Sequence, residues 1–302
     1  MRRVIVAASV VALSAGANAA TAQGVPASDI YLAPLVVEHG QPEIGIPVDI
    51  TKRPGYDNQP SFTPDSRSIL FTSIHDDEQA DIYRYDLATR RITRVTSTPE
   101  SEYSPTVMPG GQRLSVIRVE KDSTQRLWSF RLDGSDPRLV LTNIKPVGYH
   151  AWVDDNVLVL FTLGDRTHPN ALLRADVRTG YADTLARDIG RSLVPLKGAR
   201  GFSFVQHRPD STWGLTTVAL DRPGSEPVMK EIDTLPRGAD YVAWITPTVP
   251  LTAAGSKLLA WNPAADAWVE VADLTSAGIT DISRVAASAD GKWLAIVADD
   301  QK

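Results

Sequence analysis

The 302-residue sequence predicts an all-β fold, a six-bladed β-propeller whose last blade is closed by two N-terminal strands. Three observations carry this expectation. A unit of about 40–45 residues, readable as four short strands separated by turns, recurs along the chain, and that is the period of a propeller blade. The stretch Asp29-Ile30-Tyr31 near the N-terminal end echoes Asp81-Ile82-Tyr83, which falls on the third strand of the first full unit. The last unit stops after two strands, so the N-terminal copies of strands three and four are what it lacks.

Taken in order, residues 1–22 read as a secretory signal rather than as fold. Arg2 and Arg3 precede the apolar run Val4–Leu13, and the small-residue sites Ala17-Asn18-Ala19 and Ala20-Thr21-Ala22 follow. An apolar stretch of that length is too short to span a bilayer and has the flanks of a cleaved leader. Residues 23–302 then form a single domain, with Asp29–Leu35 and Ile46–Thr51 as its first strands. The fullest unit runs from Asp57 through Phe62, the turn Thr63-Pro64-Asp65-Ser66, Ile69–Ile74, Asp81–Leu87 and Ile92–Val95. Each run is rich in β-branched or aromatic residues and bounded by turn formers. With Phe62 as landmark, equivalent positions are Val107, Trp152, roughly Val194 (Arg191–Pro195 can shift by one residue), Trp244 and Ala287, which makes six starts. The sixth has an inner strand near Ser283–Ala287 and a second at Trp293–Ala298. Pairing these with the N-terminal strands removes edges that would otherwise be open to aggregation.

Composition narrows function by exclusion. Lys and Arg number 31 against 36 Asp and Glu, a net charge of −5, with the basic residues scattered. No nucleic-acid partner is expected from such a balance, and no membrane insertion once the signal is removed. The absence of Cys leaves no disulfide, lipid-attachment cysteine or thiolate metal ligand. Neither a Gly-x-Ser-x-Gly elbow, a His-Glu-x-x-His pair nor a phosphate or dinucleotide loop occurs.

The candidate site follows from strand alternation. The residues just before the landmarks, Ser61, Thr106, Ala151, Ala243 and Ala286, are small, as a crowded axis requires. Two positions earlier the same face presents Gln59, Ser104, Tyr149, Tyr241 and Arg284, with Arg191 from the fourth unit. These six form a polar ring at the channel mouth, readable as a cup for a peptide or small polar ligand or as a hydrated rim. The adjoining loops add Asp57, Glu102 and Asp240. Carboxylates of this kind offer oxygen ligands for calcium or stand as solvated loop acids, and no other cofactor is indicated. His150 lies on the opposite parity, as a site base or as a hydrogen-bonded wedge between blades. Trp128, Trp152, Trp244, Trp261, Trp268 and Trp293 fall on strands, where packing between blades is the default.

The stretches Phe62-Thr63-Pro64-Asp65-Ser66, Val107-Met108-Pro109-Gly110-Gly111 and Ala287-Ser288-Ala289-Asp290-Gly291 resemble the Ser-Pro-Asp-Gly turn of TolB-type propeller repeats. Asp81-Ile82-Tyr83 and Ile92–Thr96 fit the third and fourth strands of that repeat. The resemblance runs unevenly over residues 29–302. It implies a periplasmic or secreted monomer acting as a binding module for an envelope protein or peptide. The alternative is a propeller hydrolase or lyase working through channel-mouth residues, with calcium as its ion. TolB proteins carry an additional N-terminal domain. Here repeat-like sequence begins just after the signal, so a propeller without that domain is expected and membership of the Tol system does not carry over.

Overall fold

The computed structural model describes residues 27–38, 40–75, 79–220 and 226–299; the signal segment 1–22 lies outside them. Strand 1 (β1, Ser28–Glu38) is followed by β2 (Gln41–Ile44) and β3 (Val48–Asp49). Next come β4 (Tyr56–Phe62), β5 (Ser68–Ile74), β6 (Ala80–Asp86) and β7 (Ile92–Arg94). The second unit holds β8 (Ser101–Val107), β9 (Arg113–Val119), β10 (Gln125–Arg131) and β11 (Arg138–Leu139). The third holds β12 (Val147–Trp152), β13 (Val157–Thr162), β14 (Ala171–Asp176) and β15 (Ala182–Arg187). The fourth holds β16 (Ile189–Pro195), β17 (Gly201–His207), β18 (Trp213–Ala219) and β19 (Val228–Thr234). The fifth holds β20 (Val242–Trp244), β21 (Pro250–Ala254), β22 (Lys257–Asn262) and β23 (Ala267–Asp273), and the chain continues with β24 (Ile282–Ala287) and β25 (Trp293–Asp299). One 3₁₀ turn, Thr275–Ala277, is the helical content among the described residues, and none of them forms a helix long and apolar enough to cross a membrane.

Four antiparallel sheets of four strands each take the orders β11-β10-β9-β8, β12-β13-β14-β15, β16-β17-β18-β19 and β20-β21-β22-β23. A nine-stranded sheet holds the rest. Within it β1 lies antiparallel to β25 over seven pairs, from Ser28 opposite Asp299 to Pro34 opposite Trp293. β3 lies antiparallel on the other side of β1, through Tyr31–Asp49 and Leu32–Val48. The strand pairing between this group and β4 is the single parallel pair Ser28–Tyr56.

The second strand of each unit is largely buried because both its faces are covered. All seven residues of β5 are buried, as are Leu114–Arg118, Leu158–Phe161 and Leu294–Ala298. Six apolar clusters result among the described residues, five of them drawing on two successive sheets and the last joining two parts of the nine-stranded sheet. Leu70 and Ile82 pack on Leu114, Val116 and Phe130, and Ile117 and Leu127 on Trp152, Leu158 and Leu160. Ala151, Val159 and Phe161 meet Phe202 and Phe204, and Val205 and Leu215 meet Val242. Leu251 and Leu258 join Ala33, Leu35, Leu294 and Ile296. Last, Ile30, Leu32, Ala295 and Val297 return to Ile69, Phe71, Tyr83 and Tyr85 of the first unit. Face-to-face burial of this kind supplies most of the favourable free energy, at about 25 cal/mol per Å² of apolar surface.

Three elements differ from the sequence expectation. The fourth landmark is Pro195 rather than Val194: Leu196 bonds back across its turn to Gly201 as Thr63 does to Ser68, and an irregular stretch of β16 between Ile189 and Leu193 takes up the extra residue. β2 has no counterpart in the repeat; it is a hairpin partner for the second half of β1, from Leu35–Ile44 to Glu38–Gln41. Asp57 and Glu102, expected on loops, lie within β4 and β8 and are fully buried.

Candidate functional site

The innermost strands β4, β8, β12, β16, β20 and β24, with the residues that lead into them, converge on a cavity of about 620 Å³. Its mouth is made by the turns that follow those strands, including Pro64, Pro109, Gly110, Lys197 and Ala289. Five of the six strands carry a register irregularity, placed at Asn58/Ser61, Tyr103/Thr106, Val147/Tyr149, Ile189/Leu193 and Ile282/Arg284. A bulge inserts an unpaired residue and re-aims the side chains around it. Gln59 and Ser104 take it up with positive φ values of 58° and 52°. Proline cannot donate to a ladder, so Pro60 and Pro105 inside these strands are the sequence signal for the irregularity.

All six ring residues, Gln59, Ser104, Tyr149, Arg191, Tyr241 and Arg284, line this cavity. Gln59 and Tyr241 among them are buried, whereas the Arg191 side chain is 54% exposed. Arg191, Tyr241, Arg284 and Val285 also line a second cavity of about 210 Å³, so these four border both. Gln59 is engaged between sheets, its Oε1 accepting from Thr72 Oγ1 at 2.8 Å and from the Ser104 amide at 2.7 Å. The Ser104 hydroxyl is buried without a partner.

Arg284 is the centre of the cluster. Its Nε donates to Asn58 Oδ1 at 3.1 Å, and its Nη2 to the Tyr241 hydroxyl at 2.6 Å and the Tyr149 hydroxyl at 3.5 Å. The guanidinium carbon lies 3.7 Å from the Tyr241 ring centroid and 5.4 Å from that of Tyr149, an arrangement in which the ring quadrupole favours the cation. Arg191 pairs with Asp240 at 2.9 Å and lies 5.7 Å from the same Tyr241 ring. Burial pushes the Tyr241 hydroxyl well above the ordinary tyrosine range, against the pull of Arg284. Burial likewise pushes the hydroxyl of nearby Tyr56 up to about 12. At Tyr149 burial also works upward, but Arg284, a hydrogen bond to Tyr241 and Arg191 outweigh it and hold the hydroxyl below its usual value. Asn58 and Tyr56 escaped the alternation argument, because it assumes regular strands and a bulge breaks the parity.

The three acids do not form one centre. Asp57 pairs with Arg53 at 2.5 Å, and Glu102 faces Arg118 at 3.4 Å with Thr98 donating to it. Asp240, in the loop ahead of β20, borders the smaller cavity. Burial pushes the Asp57 carboxyl up to about 6 and the Glu102 carboxyl up to about 7. Among the described residues no group of three or more His, Asp or Glu side chains is placed to hold a metal ion. His150 is 7% exposed and its Nε2 lies 2.7 Å from Ser115 Oγ on β9. Trp152 Nε1 donates to the same oxygen at 2.9 Å. Burial alone drives the imidazole down to about 3, so the ring is neutral at physiological pH. Trp244 repeats the device, donating to Ser203 of the preceding sheet at 2.8 Å. These contacts make His150, Trp152 and Trp244 ties between sheets.

No protein-family model matches the chain. Solved structures do. A TolB candidate from Agrobacterium tumefaciens superposes with a TM-score of 0.68 at 16% identity, over 92% of this chain and all of that one. TolB from Acinetobacter baumannii gives 0.57 at 14% identity, over 90% of this chain and 64% of that one. A chain of a nidogen–laminin complex gives 0.59 at 13% identity, over 91% of this chain and all of that one. At such identities the likeness is one of architecture, and the fold is that of a TolB-like β-propeller.

Proposed function

We propose that the protein is an exported, periplasmic binding module, a monomer that holds an envelope protein segment or peptide in its central cavity. The observation that carries the reading is the convergence of six polar or aromatic side chains, one from the inner edge of each unit, on one cavity of about 620 Å³. That volume lies within the range of ordinary ligand pockets. A site assembled from every blade is rigid and costs little ordering on binding.

The ring itself is read as six blades. Dividing the nine-stranded sheet at its single parallel pair leaves six sets of four strands, with β2 as the one addition. Six inter-sheet clusters, the last returning to the first, support a closed circle in which β24 and β25 are completed by β1 and β3. Export is supported by the leader-like composition of residues 1–22. One of the similar folds comes from a complex of two proteins, nidogen and laminin, which accords with an interaction role.

The test is capture from an envelope extract by the wild-type protein and by Ser61→Trp, which places an indole in the cavity, each with calcium and with a chelator. Partners held by the wild type and lost by the blocked variant are the expected result. Identical capture by both proteins, with the variant melting like the wild type, would place the binding surface elsewhere. N-terminal sequencing of the mature protein should begin at Ala20 or Gln23; an intact Met1 would overturn export.

A further inference from the structure

We infer that Arg284 is an anchor for a ligand carboxylate, and that the carboxylate is the C-terminal group of a peptide lying in the central cavity. The inference rests on the reading of the cavity as the binding site and names the chemistry that site accepts.

The first argument is charge. Arg191, the other arginine of the cavity wall, has its acid in Asp240. Arg284 has none among the described residues. Its hydrogen bonds go to an amide oxygen and to phenol hydroxyls, and its Nη1 makes none. Placing a cation away from water without a counter-charge is costly, and the fork left open matches the two oxygens of a carboxylate. At 3.5 Å the contact to Tyr149 is at the long limit of a hydrogen bond, so that hydroxyl can turn toward an arriving oxygen.

The second argument is position. Because Arg284, Arg191 and Tyr241 border both cavities, a chain entering from the turn-side mouth meets them where the larger cavity gives way to the smaller. A narrowing lined by an arginine without a counter-charge suits a terminal carboxylate better than the uncharged middle of a chain. The third argument concerns the walls above Arg284. Ala151, Ala243, Val285 and Ala286 line them, and such surfaces accept small apolar side chains but offer little to the hydroxyls of a sugar acid.

The experiment is calorimetric titration of the mature protein with N-acetyl-trialanine as the free acid, with the same peptide as its C-terminal amide, and with galacturonate. The free acid should bind, and the amide should bind about 10- to 100-fold more weakly, the size of a lost charge-assisted hydrogen bond. Arg284→Met should lose binding of the acid to the same extent, Arg284→Lys should retain part of it, and Arg178→Met, a surface control, should match the wild type. The acid-against-amide comparison needs no variant, so it holds even where Arg284→Met is too unstable to assay. Equal affinity for acid and amide, both abolished by Ser61→Trp, would overturn the anchor and leave the cavity reading intact. Acid binding that survives Ser61→Trp would overturn the cavity reading as well. Tighter binding of galacturonate than of the peptide would overturn the peptide assignment. Absence of binding by all three probes at about 10 mM, weaker than an ordinary small-ligand contact, would overturn the anchor.

Discussion

Replacing Ile30 by Ala probes whether the N-terminal strand is built into the ring. Ile30 lies on β1 opposite Val297 of β25 and is fully buried. It packs with Ile69, Phe71, Tyr83 and Val297, so one side chain joins the last pair of strands to the first full unit. Its amide is also held by Thr51 Oγ1 at 3.0 Å. Truncation removes three carbons, worth about 2.4 kcal/mol at roughly 0.8 kcal/mol each. The void that remains after incomplete relaxation adds about 1 kcal/mol more, for a total of ~3–4 kcal/mol. The control is Ile46→Ala, at a side chain 83% exposed, where a change within about 0.5 kcal/mol is expected. Urea denaturation of both variants against wild type measures the difference. For a domain of this size the loss corresponds to a fall in Tm of roughly 6–16 °C. An Ile30→Ala protein as stable as the Ile46→Ala control would mean that β1 is not part of the cooperative core, and the closed-ring reading would fail.

Two further outcomes are expected. Trp152→Phe removes the indole donor to Ser115 while keeping the aromatic volume, and should cost about 1–2 kcal/mol in a denaturant titration; no loss would remove that bond from the inter-sheet contacts. The pH dependence of stability should follow Glu102. Its carboxyl moves from an ordinary value of 4.5 up to about 7 in the folded protein through burial, so the native state holds the proton longer than the unfolded chain. The associated stability is fully present below about 4.5 and is lost as pH rises through about 7, on the order of 3 kcal/mol in all. Asp57, pushed up to about 6, acts in the same direction. Glu102→Gln has no proton to lose and should flatten the profile of unfolding free energy between about pH 5 and pH 8; an unchanged slope would show that Glu102 titrates normally.

Strand content was legible from local pattern alone. Apolar residues alternate or run together over short stretches, and Pro, Gly, Asp and Ser mark the turns, so β4 to β6 and β8 to β10 lie within a residue or two of where the repeat puts them. The pairing of β1 with β25 was legible too, because Asp29-Ile30-Tyr31 carries the third-strand signature although its neighbours lie at the other end of the chain. Spacing also singled out five of the cavity residues, Gln59, Ser104, Tyr149, Tyr241 and Arg284, each three positions ahead of a recurring landmark, whereas Arg191 stands four ahead of Pro195. The extra hairpin strand β2 has no repeat to announce it, and the irregularity within β16 places the fourth landmark at Pro195, one residue beyond Val194.

What Arg284 touches was decided only by the tertiary structure. Its partner Asn58 is 226 positions away in sequence and Tyr241 is 43 away, and both contacts depend on how far the bulges turn the inner strands. The same holds for Asp57 and Glu102, whose residue type suggests solvent but whose places in β4 and β8 are buried against neighbouring sheets. Strand alternation is a property of the local backbone and is written in a few adjacent residues. The surroundings of a charge in the central cavity are set by several strands distant in sequence at once, and no stretch of the chain contains them all.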